Sequence, residues 1–381
     1  MLIATILSAW LQYGADGEPH ARAVVSGAAC PAARADEKLL AMERRAAGGP
    51  GFDDVVCDVA IPKDAKRVAV DARALPAPAH DPRTIVVLGD TGCRISLVLA
   101  QGCNDPSAWP LPANARAIAA LHPDLVIHVG DYLYRERACP ALSACSGSPH
   151  GDNAFAWQAD WLRPAAPIFA NAPMLMLRGN HEECSRNGPG WFRYLDPHAS
   201  TACKDTTDPY AVDLGTLRIV AFDSAVAEDQ GVNDDHGPIY RRQFAQARAL
   251  AIGASEAWFV THRPPYTNGD ERDAMGDALQ PFDAVLSGHI HLFGAVDVDG
   301  QPPLVINGEG GTRLDLNYAS FLGLAMGKLH AAGTPFGEAR FGFGVYRRTN
   351  AGWTVSLRDP GGVERAVCVL AKRSVHCERV E

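Results

Sequence analysis

Leu125-Val126-Ile127-His128-Val129-Gly130-Asp131-Tyr132-Leu133-Tyr134 is the stretch from which the fold is read. Residues 125–129 form a short apolar run, the pattern of a buried strand. Gly130 then lets the chain turn sharply, and Asp131 lands just past the strand's carboxyl end. The same grammar recurs on both sides. Residues 84–88 run into Gly89-Asp90-Thr91-Gly92, and residues 174–177 into Arg178-Gly179-Asn180-His181-Glu182. Residues 217–222 end in Asp223-Ser224, residues 258–260 in Thr261-His262, and residues 284–286 in Ser287-Gly288-His289-Ile290-His291. Helical patterns at 113–121 and 239–251 lie between them. Buried strands alternating with helices predict α/β layers. Polar groups just beyond strand carboxyl ends occupy the place where such sheets put ligand sites.

Outward from this block the pattern changes. Residues 9–13, the Asp16-Gly17 turn and residues 22–25 read as a hairpin, and residues 67–70 as a further strand. Residues 37–47 read as a helix. Leu75-Pro76-Ala77-Pro78 is a stiff extended linker, because each proline fixes φ and biases its neighbour to extended structure. A boundary there divides the chain into a small β-rich N-terminal domain, 1–80, and a catalytic domain, 81–381. At the far end Phe341, Phe343 and Val345 alternate, as do Trp353, Val355 and Leu357, around a turn at 349–352; this predicts a hairpin that completes a sheet. Residues 135–156 and 266–279 read as loops near the site.

The 381 residues carry 35 basic and 44 acidic side chains, a net charge of −9, with no long Lys/Arg run. That balance excludes an electrostatic nucleic-acid or membrane-surface binder. No apolar stretch approaches the length of a membrane span. The first eleven residues are apolar but lack a basic start, and are read as a strand, with an export signal expected to be missing or clipped. Ten cysteines fall mostly in close pairs: Cys93 with Cys103, Cys139 with Cys145, Cys184 with Cys203 and Cys368 with Cys377, leaving Cys30 and Cys57. No Cys-x-x-Cys occurs, so short-loop disulfides in an oxidising compartment, secreted or periplasmic, fit better than a zinc ribbon or a redox motif.

Five clusters carry the chemistry: Gly89-Asp90, Gly130-Asp131 with Tyr134, Gly179-Asn180-His181-Glu182, Thr261-His262, and Gly288-His289-Ile290-His291. Two carboxylates, imidazoles, an amide oxygen and a phenol form a mixed oxygen and nitrogen donor set without thiolate. Such a set suits Zn, Mn or Fe. Seven donors exceed the need of one ion and suit two that share a carboxylate, an arrangement that clamps attacking and leaving oxygens in phosphoryl displacement. Gly-x-Ser-x-Gly and Walker motifs are absent, and the Gly308-Glu309-Gly310-Gly311 turn lacks a dinucleotide fingerprint.

The five blocks resemble the signature of the calcineurin-like metallophosphoesterases, and most closely the purple acid phosphatase type. Tyr134, three after Asp131, marks that type, as do the Gly89-Asp90-x-Gly92 form and His262-Arg263-Pro264-Pro265-Tyr266. The resemblance spans about residues 84 to 291. It implies a four-layer αββα sandwich with a small N-terminal β-rich domain, and a binuclear metal-dependent phosphatase that hydrolyses phosphate monoesters by direct attack of a metal-bound hydroxide. By it, Asp90, Asp131, Tyr134 and His291 bind the first metal, while Asp131, Asn180, His262 and His289 bind the second. His181 protonates the leaving alkoxide, and Glu182 orients His181. A phenol is a poor ligand for a divalent ion near neutral pH, so Tyr134 points to Fe(III), with Fe, Zn or Mn as the second ion. The alternative buries Tyr134 in the core and leaves a Zn- or Mn-only pair.

The last block reads Gly288-His289-Ile290-His291-Leu292-Phe293-Gly294 where that type has Gly-His-x-His-x-Tyr-Glu-Arg, and residues 267–276 offer acids where the plant-like forms have histidines. Arg178, Arg263 and Arg272 are candidates to steady phosphate, and His236 a candidate to line the cleft; His122, His128, His150 and His198 are read as structural. The expected partner is a small-molecule phosphate ester. A phosphodiesterase or nucleotidase on the same scaffold is the alternative, and a dead scaffold module the reading from another class.

Overall fold

The computed structural model describes residues 5–229, 233, 235–267, 269–316 and 329–380. Two large sheets pack face to face. The first has eleven strands, in the order Ser374–Arg379, Glu364–Ala371, Gly352–Arg358, Phe343–Thr349, Thr84–Leu88, Leu125–His128, Met174–Met176, Thr5–Tyr13, Pro19–Ser26, Asp54–Ala60 and Glu43–Ala46. The second has seven, in the order Tyr210–Leu214, Leu217–Ala221, Glu256–Val260, Ala284–Ser287, Leu304–Asn307, Phe293–Val296 and Phe336–Glu338. The central strands of each are parallel.

Side-chain alternation sets the layers. Ile85, Val87, Leu125 and Ile127 point between the sheets and meet Ile219, Val260, Leu286 and Val305. Val86, Leu88, Val126 and Met176 point the other way, onto the helix Leu111–Ala120 and the Trp157 and Trp161 indoles. Val220, Phe259, Val285 and Ile306 pack on the helix His236–Ala251 through Tyr240, Phe244 and Ala247. Both faces of each central strand are therefore covered, which is why their sequences are continuous apolar runs. The result is the expected αββα sandwich. Each fully buried aliphatic side chain here contributes roughly 1.5–3 kcal/mol, so the strand ends are held firmly.

Leu111, Asn114, Ala115 and Ile118 make the buried stripe of the first helix, with proline in its first turn. The N-terminal hairpin forms as read, Thr5–Tyr13 against Pro19–Ser26, and the C-terminal hairpin pairs Phe343–Thr349 with Gly352–Arg358. Residues 5–75 are β-rich. Four of their strands make a separate small sheet, Lys38–Ala41, Ala32–Ala35, Val68–Val70 and Arg73–Leu75. The others join the first large sheet, where Gln12 lies opposite Met174 in a parallel pair.

Two expectations are corrected. Residues 37–47 are not a helix but the strands Lys38–Ala41 and Glu43–Ala46. Their helical composition yields to pairing with Ala32–Ala35 and Asp54–Ala60. The segment 266–279 contains the helix Gly269–Met275; Asp270 and Glu271 fall in its first turn, and Ala274 and Met275 are buried. All ten cysteines are paired, the four close pairs as read and Cys30 with Cys57.

Candidate metal centre

Five strand ends converge. Thr84–Leu88, Leu125–His128 and Met174–Met176 deliver Asp90, Asp131 with Tyr134, and Asn180; Glu256–Val260 and Ala284–Ser287 deliver His262, and His289 with His291. All seven expected donors meet in two groups. In the first, the Tyr134 hydroxyl lies 2.6 Å from Asp131 Oδ2, 3.0 Å from Asp90 Oδ1 and 3.1 Å from His291 Nε2. In the second, Asn180 Oδ1 lies 3.0 Å from His262 Nε2 and 2.9 Å from His289 Nδ1, and Asp131 Oδ2 is 3.3 Å from His262 Nε2. Asp131 belongs to both. Ligand atoms of Asp131, His262 and His289 all lie within 4.8 Å of one another. Tyr134 does face the site, and Tyr132 is the core residue, stacked on His128.

The donor set fits cations on a simple count of protons. His262 Nδ1 donates to Val129 O at 2.8 Å, and His291 Nδ1 donates to Arg313 O at 2.8 Å. Their Nε2 lone pairs therefore face the site, as does Nδ1 of His289, whose Nε2 is 2.9 Å from Asp229 Oδ1. Burial lowers His289 and His291 to about 4, so both are neutral near pH 7. Imidazole lone pairs thus oppose the Asn180 carbonyl oxygen and the Asp131 carboxylate, with the Tyr134 hydroxyl proton bonded to Asp131. Positive charge between these atoms is what reconciles them. The two carboxyls split: burial and the Asp131 charge push Asp90 up, whereas Asp131 is held low against burial, with the Tyr134 hydroxyl bonded to it.

Gly130 and Gly179 make room for this. Gly130 has φ 105°, and a Cβ on it would sit 2.5 Å from His262 Nδ1; one on Gly179 would collide with Asp131 Oδ1.

His181 is buried beside the donors, its Nε2 4.0 Å from Asp131 Oδ2 and its ring 3.6 Å from that of Tyr134. Its polar partners are not the expected one. Glu136 Oε1 lies 3.1 Å from Nδ1, and Arg186, itself 2.5 Å from Glu136, contacts the ring nitrogens. Glu182 instead accepts four backbone N–H groups, from Asp131 (3.0 Å), Tyr132 (2.8 Å), Leu133 (3.2 Å) and Gly179 (3.1 Å). It fixes the loop that carries Asp131. Burial and the Asp131 charge push its carboxyl up to about 8, against those four bonds.

The arginines expected near phosphate are already committed. Arg178 pairs with Asp223 at 2.8 Å and bonds the Lys204 and Asp205 carbonyls; Arg263 pairs with Asp229; Arg272 lies against Asp273. His236 is held by Asp270, 3.0 Å away, which also accepts backbone N–H groups of Glu228 and Asn233. Sequence reasoning missed Glu136, Arg186, Asp229 and Asp315, the last accepting from His291 N at 3.0 Å. It also missed Asp160, buried under the site, which accepts from Tyr134 N and Cys93 N and pairs with Arg135.

A two-sheet αββα scaffold whose strand ends gather these donors around one shared aspartate is the architecture of a metal-dependent phosphoester hydrolase. The chain belongs to the calcineurin-like phosphoesterase family, whose profile matches residues 83–293, more than half of its length. No curated protein sequence matches the chain. Among solved structures, the purple acid phosphatase PPD1 from yellow lupin (Lupinus luteus) seeds aligns over 99% of this chain and 74% of its own, with TM-score 0.61 and 14% identity. PhoD aligns over 98% of this chain and 92% of its own, with TM-score 0.61 and 10% identity. At such identities the likeness is one of fold.

Proposed function

We propose that the protein is a binuclear metal-dependent phosphatase of the purple acid phosphatase kind, acting on phosphate monoesters of small molecules. The observation that carries this is the pair of donor groups sharing Asp131, with His181 beside both and in neither. Asp90, Asp131, Tyr134 and His291 would hold one ion, and Asp131, Asn180, His262 and His289 the other. Bound there, two cations would acidify water as the nucleophile and offset charge on the phosphoryl oxygens. As the imidazolium, with Nδ1–H turned to Glu136, His181 would hold a second proton at Nε2 for the leaving oxygen. Glu182 keeps Asp131 in register through the loop backbone. Burial and the Asp131 and Asp90 charges push the Tyr134 phenol well above its ordinary range. Only a strongly Lewis-acidic ion removes such a proton, which supports Fe(III) in the first position with Fe, Zn or Mn in the second.

Five disulfides support an oxidising compartment, hence a secreted or periplasmic protein. Among the described residues no helix is long and apolar enough to cross a membrane. Iron loading followed by absorption spectroscopy and metal analysis tests the reading. The wild type should show a broad visible band that Tyr134→Phe lacks, and should hydrolyse alkyl monoesters faster than diesters. A colourless iron-loaded wild type overturns the ferric assignment, and a preference for diesters returns the phosphodiesterase alternative.

A further inference from the structure

We infer that Arg94 is a substrate-binding residue that grips a non-bridging oxygen of a dianionic phosphoryl group, and so favours monoesters over diesters; this rests on the phosphatase reading above. The arginines that contact the site are already paired. Arg186 lies 2.5 Å from Glu136, Arg135 2.5 Å from Asp160 and Arg178 2.8 Å from Asp223, and Arg263 pairs with Asp229. Each has its charge offset by a carboxylate. Arg94 differs. Its guanidinium carbon lies 6.0 Å from the centroid of the Tyr134 ring, and the group makes no hydrogen bond or ion pair among the described residues. It is half-buried, so it faces the site without being sealed from substrate.

Its seat is rigid. Cys93 is bonded to Cys103, and Cys93 N donates to Asp160, which also takes Tyr134 N. Arg94 N donates to Gln101 Oε1 at 3.0 Å, and Arg94 O accepts from Gln101 N at 2.8 Å. The Gln101 amide is anchored in turn on Gly311 O at 2.8 Å. Ile95 N donates to Tyr134 O at 3.0 Å, so Arg94 and Tyr134 move as one piece. A preorganised cation loses little freedom on gripping an anion.

The chemistry then selects. A monoester is nearly a dianion at neutral pH, whereas a diester carries one charge and one anionic oxygen fewer. A cation added to those that neutralise the first charge gains more from the dianion. A charge-assisted contact of this kind corresponds to about a ten- to hundredfold change in affinity.

The test uses metal-loaded wild type, Arg94→Ala and Arg94→Lys. Metal content, inorganic phosphate affinity by calorimetry, and kcat/KM for p-nitrophenyl phosphate and bis(p-nitrophenyl) phosphate are measured on each. Metal content should stay unchanged in Arg94→Ala while phosphate binds about ten- to hundredfold more weakly and Arg94→Lys recovers part of that loss. Monoester kcat/KM should fall by a similar factor and diester kcat/KM by less than about threefold. Unchanged phosphate affinity, or equal loss on both esters, overturns the inference. If the wild type itself retains no metal or hydrolyses neither ester, the phosphatase reading fails and the role of Arg94 falls with it; that outcome is visible in the wild-type arm alone.

Discussion

Replacing Glu182 by glutamine should cost more than any other isosteric change near the site. Four backbone N–H groups converge on its two oxygens, those of Asp131 and Gly179 on Oε2 and those of Tyr132 and Leu133 on Oε1. A carboxylate satisfies both pairs. A glutamine amide satisfies one pair and turns its NH2 toward the other, donor against donor. Above about pH 8, where Glu182 is ionised, two hydrogen bonds to a charged acceptor are lost, at about 1.5–3 kcal/mol each, or about 3–6 kcal/mol together. An unfolding entropy near 2.1 cal/mol/K per residue gives about 0.8 kcal/mol/K for this chain, so the midpoint should drop by about 4–8 °C. The assay is calorimetric melting of chelator-treated protein at about pH 9, where Glu182 is ionised and loss of metal cannot contribute. His181→Ala, which leaves the four bonds intact, serves as the comparison. A Glu182→Gln protein melting within about 1 °C of wild type would refute the cradle argument and with it the claim that this carboxylate fixes the Asp131 loop.

Other outcomes follow from the same geometry. Asp131→Asn should abolish binding of both metals together with activity, read by metal analysis after reconstitution; retention of two ions would show that the aspartate is not shared. His181→Ala should keep its metals and lose about 10²–10⁴-fold in turnover on an alkyl phosphate, with a smaller loss on a nitrophenyl ester, whose leaving group needs no proton. The Glu309 side chain is fully buried, with no hydrogen bond to its carboxyl oxygens from another described residue, and burial pushes its carboxyl up to about 8. Folding then favours its neutral form. That contribution is complete below the unfolded value near 4.3 and is lost as pH rises through about 8. Glu309→Gln should therefore match wild type near pH 4 and gain on it by up to about 5 kcal/mol by pH 9, in denaturant unfolding. Parallel pH profiles for the two proteins would contradict this.

What could be read from the chain was local. A continuous apolar run followed by Gly-Asp or Gly-Asn-His specifies a doubly covered strand and the donor at its end; Asp90, Asp131 and Asn180 announce themselves that way, and His262, His289 and His291 follow similar runs that end in Thr-His and Gly-His-x-His. Cysteines six to nineteen residues apart close short loops and pair with their neighbours. Glu136, Asp160 and Arg186 were illegible because each acts through a partner from a distant segment, and a lone charge carries no trace of that partner. Glu182 misled by adjacency. It shares a 3-10 turn with His181, where successive side chains diverge by about 120°, so neighbours in sequence face different targets. Residues 37–47 misled by composition, since a helical mixture of Glu, Leu, Arg and Ala was overruled by strand partners on either side.

The backbone at the donors decides which substitutions are informative. Asp90, Asp131 and His289 have φ of 54°, 64° and 70°, a left-handed conformation that costs a residue with a side chain about 1–2 kcal/mol. Glycine would relieve the cost and remove the donor. The turn is kept because it aims backbone groups into bonds that oppose the strain: Asp131 N to Glu182, and His289 N to Asp90 Oδ2 at 2.9 Å. Asparagine tolerates this conformation better than other residues do, because its short polar side chain bonds locally. An aspartate-to-asparagine change at 90 or 131 therefore alters charge while leaving the turn in place. Alanine there adds backbone strain to the loss of a ligand, so its effect mixes the two. If the chemistry of the donors, and not the relaxation of the loop, governs metal retention, Asn and Ala variants must lose metal equally while only the Ala variants lose additional stability. Metal loss confined to the alanine series would instead make the turn the controlling feature and reduce the carboxylates to scaffolding.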